Sequence, residues 1–143
     1  MSTRGIRNCN PANIRHGSKW QGRRKKQTDK AFVQFVSMVW GVRALIVTLR
    51  TYVRKHNLYS VHDIISRWAP PQDNNNTKAY INYVISNCPY CFSPDDYYIS
   101  PLSFGTRYPS ERDKLYYLCK AMCMIESEYL LNRDVFDEAF DLI

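Results

Sequence analysis

The sequence contains no uninterrupted apolar run of about 18 residues, the length that a membrane-spanning helix requires, so we expect no membrane span. Its first residues, MSTRGIRN, include no apolar core of the kind found in secretory signal peptides. We therefore expect a protein that is made in the cytoplasm and reaches any other compartment by a separate route. The five cysteines, an odd number, favour reduced thiols over a disulfide framework.

Motifs of several enzyme classes are missing as well. The five glycines form no phosphate-binding loop, and the three histidines lack the spacing of a metalloprotease. Cys88 and Cys91 have the spacing of a zinc knuckle. Cys119 and Cys123, however, fall on the most apolar side of a predicted helix, where a thiol behaves as a small hydrophobic group. We predict no metal and no cofactor, and a four-thiolate zinc site remains the open alternative.

Acidic residues are almost absent from the first part of the chain. Residues 1–62 contain 13 Lys and Arg against one acid, Asp29, whereas residues 63–143 contain 7 against 12 acids. Such a basic half suits a polyanion: nucleic acid, an anionic membrane or an acidic cell-wall polymer. Solubility, or docking onto the acidic half, is the alternative explanation. Nucleic acid is the less favoured partner, because the cations do not share one recognition helix.

Hydrophobic periodicity predicts four or five helices with little sheet. The predicted helices cover about residues 40–56, 60–69 and 110–131, with a last turn at 133–143. Another lies within residues 73–88, after a polar loop and an N-cap. Ser60 and Ser110 are the expected N-caps of two of them. The fold class is therefore mainly α, α+β at most. We expect a single compact domain over residues 1–143 with an irregular N-terminal loop or small hairpin.

Two carboxylates follow an almost wholly apolar helical stretch in AMCMIESEYL. At 3.6 residues per turn, Glu126 continues the core-facing side that Met122 defines, and Glu128 turns toward water. A carboxyl group at the end of a buried helix is desolvated, which raises its pKa and lets it protonate a leaving oxygen. Glu126 is thus the candidate general acid, and Asp73 is the candidate second carboxylate. The alternative for Glu126 is an ordinary helix-end carboxylate paired with an arginine.

The opening stretch RGIRNCNPANIR, residues 4–15, is rich in amides and guanidinium groups. Asn amides match sugar hydroxyls and N-acetyl groups, and they also brace loops by bonding the backbone. An Arg can hold the carboxylate of a peptide stem. We predict a binding loop that faces the end of the last long helix. Its candidate substrate-binding residues are Asn8, Asn10, Asn13 and Arg15, with Trp20 and Trp68 lining or supporting the cleft.

The order and spacing of several motifs along most of the chain are distinctive. They are Gly5–Arg15 (GIRNCNPANIR), Trp20–Gly22, Phe32–Phe35, Gly41–Ala44, Trp68–Pro71 (WAPP) and Thr77–Ile81. This arrangement resembles the lysozyme-like family of phage and prophage virion-associated proteins, which carries GIRNNNPGNIR and WAPP. Cys9, Ala12 and Asp73 depart from that pattern, where Asn, Gly and Glu are usual.

Two shorter stretches carry a more distant likeness. LCKAMCMIESEYL is similar to the helix of lytic transglycosylases that ends in a catalytic Glu-Ser pair, and NPANIR is similar to an asparagine-rich segment of bacterial glucosaminidases. In those enzymes the Glu helix comes first, so the order here is permuted. The resemblances imply a lysozyme-like, virion-associated domain that binds peptidoglycan glycan strands and cleaves them. The alternative is a non-enzymatic virion or wall-binding module on the same scaffold. Virion proteins are then the expected partners.

Overall fold

Helices account for most of the regular structure in the computed structural model, which describes residues 2–143. The α-helices are α1 Arg4–Arg7, α2 Met38–His56, α3 Val61–Trp68, α4 Thr77–Asn87, α5 Pro109–Ser127 and α6 Arg133–Phe140. Within the described residues, extended pairing is confined to isolated bridges, such as those joining Arg15 to Phe32 and Arg23 to Phe35. The predicted mainly helical class is therefore confirmed. None of the helices in residues 2–143 is long and apolar enough to cross a membrane.

The chain divides into two packing units. Unit 1 contains the described residues up to Thr48 together with Met122–Ile143, and unit 2 contains Leu49–Ala121. The expectation of one domain over residues 1–143 stays a prediction.

A small irregular hairpin forms the N-terminal part of unit 1, as the lack of periodicity there predicted. The backbone N–H of Val33 donates to the Ile14 carbonyl at 3.0 Å, and that of Arg24 donates to the Gln34 carbonyl at 2.9 Å. Gly22 has φ 79°, and a Cβ at this position would collide with the Trp40 ring. The turn therefore requires glycine both for its backbone conformation and for its close packing.

The core of unit 1 joins this hairpin to the C-terminal segment. Val33 and Phe35 are fully buried, as are Met122 and Phe136. Helix α6 is capped by Asn132, whose side chain accepts from the backbone N–H of Val135, and its buried side includes Phe136 and Phe140. The predicted last turn is thus a regular amphipathic helix.

Helices α3 and α4 pack on each other in unit 2. The predicted cap of α3 is confirmed, because the Ser60 hydroxyl accepts from the backbone N–H of Asp63 at 3.1 Å. In α4, the side chains of Tyr80 and Val84 are buried, whereas that of Tyr83 is exposed. Residues 88–108 form the loop between α4 and α5, with one helical turn, a short 3-10 helix at Pro101–Phe104.

Both ends of α5 differ from the prediction. The helix begins at Pro109, so Ser110 lies inside it and is not its cap. It ends at Ser127 rather than near Leu131, because Glu128 adopts the left-handed conformation with φ 53°. The Glu128 backbone N–H then donates to the Met124 carbonyl at 2.9 Å, which closes the last turn.

Candidate functional site

The end of α5 and the opening loop meet within unit 1. Glu126 lies on the last turn of α5 with a half-buried side chain. The Asn13 amide Nδ2 donates to the Glu126 backbone carbonyl at 3.0 Å and lies 3.5 Å from the Glu126 carboxyl Oε1. The expectation that this loop faces the end of the last long helix is therefore confirmed.

Close packing between α1 and the end of α5 reinforces the same junction. The Thr3 hydroxyl donates to the Ser127 backbone carbonyl at 2.6 Å. A Cβ at Gly5 would collide with the Ser127 hydroxyl, so only glycine permits the two segments to approach this closely. The residue after Glu126 is thereby clamped, which limits the positions that the Glu126 backbone can take.

Two groups close to Glu126 in the chain, the Cys123 thiol and the Tyr129 phenol, have raised pKa values. Cys123 is fully buried one turn earlier. Burial raises the pKa of the Cys123 thiol, and the nearby Glu126 carboxylate raises it further. Burial likewise raises the pKa of the Tyr129 phenol, with added effects from Cys123 and Cys9. Cys123 is thus a neutral thiol at neutral pH, buried one turn before Glu126.

Three non-glycine residues in the described part of unit 1 have left-handed backbone conformations. Their φ angles are 50° at Cys9, 54° at Asn13 and 53° at Glu128. Such residues are uncommon, and they concentrate where the surrounding structure imposes an unusual path on the chain. Asn tolerates this region better than Cys does. Cys9 is therefore less favourable than Asn13 at such a backbone position.

Asn10 is a bracing residue in the interior of the loop. It is fully buried, and its Oδ1 accepts from the Ile14 backbone N–H at 2.9 Å. Its Nδ2 donates to the backbone carbonyls of Ile14 at 2.9 Å and of Val33 at 2.8 Å. This corrects the prediction that Asn10 contacts a substrate, because the hydrogen-bonding groups of its side chain are already bound to Ile14 and Val33.

Asn8 has the same inward role. It is 4% exposed, and its Nδ2 donates to the Asp29 carboxylate at 2.9 Å. Its Oδ1 accepts from the Gln34 side-chain amide at 3.0 Å. Direct substrate binding by Asn8 is corrected for the same reason. Asn8 and Asn10 thus brace the loop, the second of the two functions that asparagine side chains were expected to serve there.

Asp29 organises the base of the hairpin, a role that sequence reasoning missed. The Arg4 guanidinium donates two hydrogen bonds to its carboxylate, at 2.7 and 2.6 Å. The backbone N–H groups of Ala31 and Phe32 donate to it at 2.9 and 3.0 Å. The pKa of Asp29 lies well below its usual range. The largest cause is the hydrogen bond from the Arg4 guanidinium, and the second is the hydrogen bond from the Phe32 N–H. The sequence did contain one indication of this role, because Asp29 is the single acid among residues 1–62.

Two predicted binding residues of unit 1 are accessible to a ligand. Arg15 is exposed, and its guanidinium lies 4.9 Å from the centre of the Phe32 ring. The Arg4 guanidinium lies 4.5 Å from the same ring. Stacking of this kind orients a guanidinium group while leaving its N–H donors available. Trp20 is half-buried in the hairpin.

The remaining predicted site residues belong to unit 2. Trp68 ends α3, is half-buried, and meets the Tyr52 ring edge-to-face with centroids 6.5 Å apart. This packing suits a supporting role. Asp73 ends the 3-10 helix Pro71–Asp73 and is exposed. The roles predicted for Trp68 and Asp73 stay predictions.

The cysteines do not assemble a metal centre in the part of the chain that the structure describes. No group of three or more His, Cys, Asp or Glu side chains in residues 2–143 has an arrangement that could hold a metal ion. Burial raises the pKa of Cys88 to about 12 and also raises that of Cys91. Protonated, buried thiols of this kind are inert.

These features define a mainly helical protein in which a braced, amide-rich loop meets a carboxylate at the end of a helix. No protein-family model matches the chain. The chain is similar to Protein P5 of Pseudoalteromonas phage PM2, with 44% identity over 87 residues that cover 58% of this chain and 54% of the phage protein. It thus spans about half the length of that curated relative. The similarity supports a phage-associated protein.

Proposed function

We propose that this protein binds peptidoglycan glycan strands and cleaves them as a lysozyme-like enzyme associated with a phage particle. The observation that supports this proposal most directly is the contact between Asn13 and Glu126, which joins the amide-rich loop to a half-buried carboxyl group. The similarity to a phage protein supports the biological setting. The resemblance of the GIRNCNPANIR and WAPP motifs to the virion-associated family supports the substrate class.

Glu126 acts in this proposal as the general acid. Its carboxyl group gives a proton to the glycosidic oxygen as the bond to the anomeric carbon breaks. Asn13 is a positioning residue, because its amide lies 3.5 Å from Oε1 and 3.0 Å from the backbone carbonyl of the same residue. An N–H donor aimed at Oε1 also stabilises the carboxylate that remains after the proton has left.

A transglycosylase reaction requires only this one carboxyl group. A hydroxyl of the substrate sugar attacks its own anomeric carbon and gives its proton to the Glu126 carboxylate, which restores the acid. The product therefore carries an anhydro ring and no water is consumed. Hydrolysis would instead use a water molecule and, in most glycosidases, a second carboxylate. Asp73 is the candidate for that second role.

Muropeptide analysis of purified peptidoglycan tests the proposal. We expect wild-type protein to release soluble fragments and Glu126→Gln to be slower by about 10²–10⁴-fold, the usual contribution of general acid catalysis. Glu128→Gln is the matched control, because Glu128 is exposed and only two residues away. Equal product release by wild type and Glu126→Gln would exclude Glu126 from the mechanism. Anhydro or reducing ends in the fragments distinguish the two reactions.

A non-enzymatic wall-binding module is the second candidate. Two departures from the resembling family's motifs, Cys9 and Asp73, favour it. In this case Glu126 fixes the loop through Asn13, and the same surface binds glycan without breaking it. Retention of the protein on purified peptidoglycan, with no soluble fragment released by wild type, would select this function.

A further inference from the structure

The hairpin that follows the candidate site carries an exposed cationic surface. We define the basic hairpin as residues 15–30. Its exposed cationic side chains are those of Arg15, Lys19, Arg23, Lys25, Lys26 and Lys30. Clustered charge of one sign attracts polyanions and increases their local concentration.

The one acid in the basic hairpin does not interrupt this surface. Asp29 is directed inward, where Arg4 and the backbone N–H groups of Ala31 and Phe32 bind its carboxylate. Arg24 also points inward, and it donates to the backbone carbonyl of Phe35 at 2.8 Å. Arg24 thus has a structural role, whereas the exposed cations of the basic hairpin face solvent.

Side-chain amides hold the basic hairpin in shape. The Gln27 amide donates to the backbone carbonyls of Arg24 at 2.9 Å and Gln34 at 2.8 Å. The Gln34 side chain in turn accepts from the backbone N–H of Thr28 at 2.6 Å. A braced backbone lowers the entropy lost when its side chains bind a partner.

The basic hairpin is continuous with the candidate site. Asn13 contacts Glu126, and Arg15, two residues later, is the first exposed cation of the hairpin. The exposed cations of the basic hairpin thus begin two residues after the loop residue that contacts Glu126. In peptidoglycan, the repeat units on either side of a cleaved glycosidic bond carry stem peptides with free carboxylates.

We propose that the basic hairpin is a second contact surface that binds the stem-peptide carboxylates of the same glycan strand. This inference rests on the proposed function. It assigns the hairpin an affinity role: it retains the protein on the polymer while Glu126 acts on the glycan. Carboxylates are favoured over nucleic-acid phosphates because the surface adjoins the candidate sugar site and is formed by an irregular hairpin instead of a groove-binding helix.

Binding to purified sacculi in the Glu126→Gln background tests the inference, because binding is then measured without cleavage. The test variant carries Arg23→Gln, Lys25→Gln and Lys26→Gln. We expect its apparent Kd to rise about tenfold at low salt, as the loss of three exposed ion pairs would produce. The difference should disappear at high salt.

A charge-matched control removes three exposed cations from unit 2: Arg54→Gln, Lys55→Gln and Lys78→Gln. We expect this variant to bind like its parent. Equal weakening in both triple variants would mean that net charge alone matters, and it would overturn the proposal. Thermal unfolding of each variant verifies that it is folded.

Two further substrates separate the possible outcomes. Glycan strands stripped of stem peptides by an amidase should bind the parent and the hairpin variant equally, and a persisting tenfold difference would refute the carboxylate assignment. Duplex DNA that displaces the protein from sacculi at lower concentration than soluble stem peptide would favour nucleic acid instead. If wild type releases no fragments but the hairpin variant still loses affinity, the proposed cleavage fails and the binding surface stands.

Discussion

Replacing Asn10 tests the bracing of the opening loop most directly. Asn10→Ala removes a fully buried amide that makes three hydrogen bonds, at 2.9, 2.9 and 2.8 Å. The Ile14 carbonyl keeps a bond from the Val33 N–H, but the Ile14 N–H and the Val33 carbonyl each lose a buried partner. Leaving such groups unsatisfied costs about 1–3 kcal/mol each.

We therefore expect Asn10→Ala to lower the free energy of unfolding by about 3 kcal/mol, and Tm by roughly 10 °C for a chain of this size. Urea and thermal unfolding measure both values. Asn10→Asp should be at least as destabilising, because a carboxylate oxygen would replace the amide that faces two carbonyls. Arg15→Ala, at an exposed position, is the control and should change stability by less than about 0.5 kcal/mol.

One result would refute this reasoning. If Asn10→Ala unfolds like wild type but no longer binds peptidoglycan, the Asn10 amide serves a ligand and not the loop. Loss of binding that accompanies loss of stability, and that is restored at lower temperature, would agree with the bracing role.

The remaining predictions concern three other positions in unit 1. Asn13→Ala should lower kcat for glycan cleavage at least tenfold with little change in KM, because the amide orients Glu126; steady-state kinetics tests this, and an unchanged kcat would contradict it. Cys9→Asn should raise the free energy of unfolding by about 1 kcal/mol, since Asn adopts the left-handed conformation more readily; urea titration measures it, and a destabilised variant would contradict it. Asp29→Asn should lower the urea midpoint near neutral pH. Because the folded-state pKa of Asp29 is depressed, its stabilising effect is present above about pH 4, the unfolded value, and is lost as pH falls below it; midpoints that do not converge in acid would count against this.

Local sequence was sufficient for most of the helices. The spacing of apolar residues predicted the end of α2 at His56 and its start at about Trp40, two residues after the observed start at Met38. The hydroxyl of Ser60 predicted the start of α3. These features depend on interactions within a few residues, which a single sequence displays directly. The absence of periodicity before residue 30 likewise indicated an irregular hairpin.

The end of α5 illustrates where local reasoning stops. No glycine follows Ser127, so nothing in the sequence marks the left-handed turn that Glu128 makes. The clamp on the Ser127 carbonyl comes from Thr3, a residue that is 124 positions away. Packing across that distance imposes the helix end against the intrinsic preference of the chain.

The sequence by itself determined which residue types could serve a carbohydrate site: asparagines, an arginine and a helix-end carboxylate. The tertiary structure alone decided which of them face inward. Asn10 turns inward because the buried backbone groups of Ile14 and Val33 require partners, and Asn8 turns inward to the Asp29 carboxylate and the Gln34 amide. Asn13 instead turns to Glu126, 113 residues away. The direction of an amide depends on which polar groups the fold places around it, and those groups come from segments that are distant in the chain.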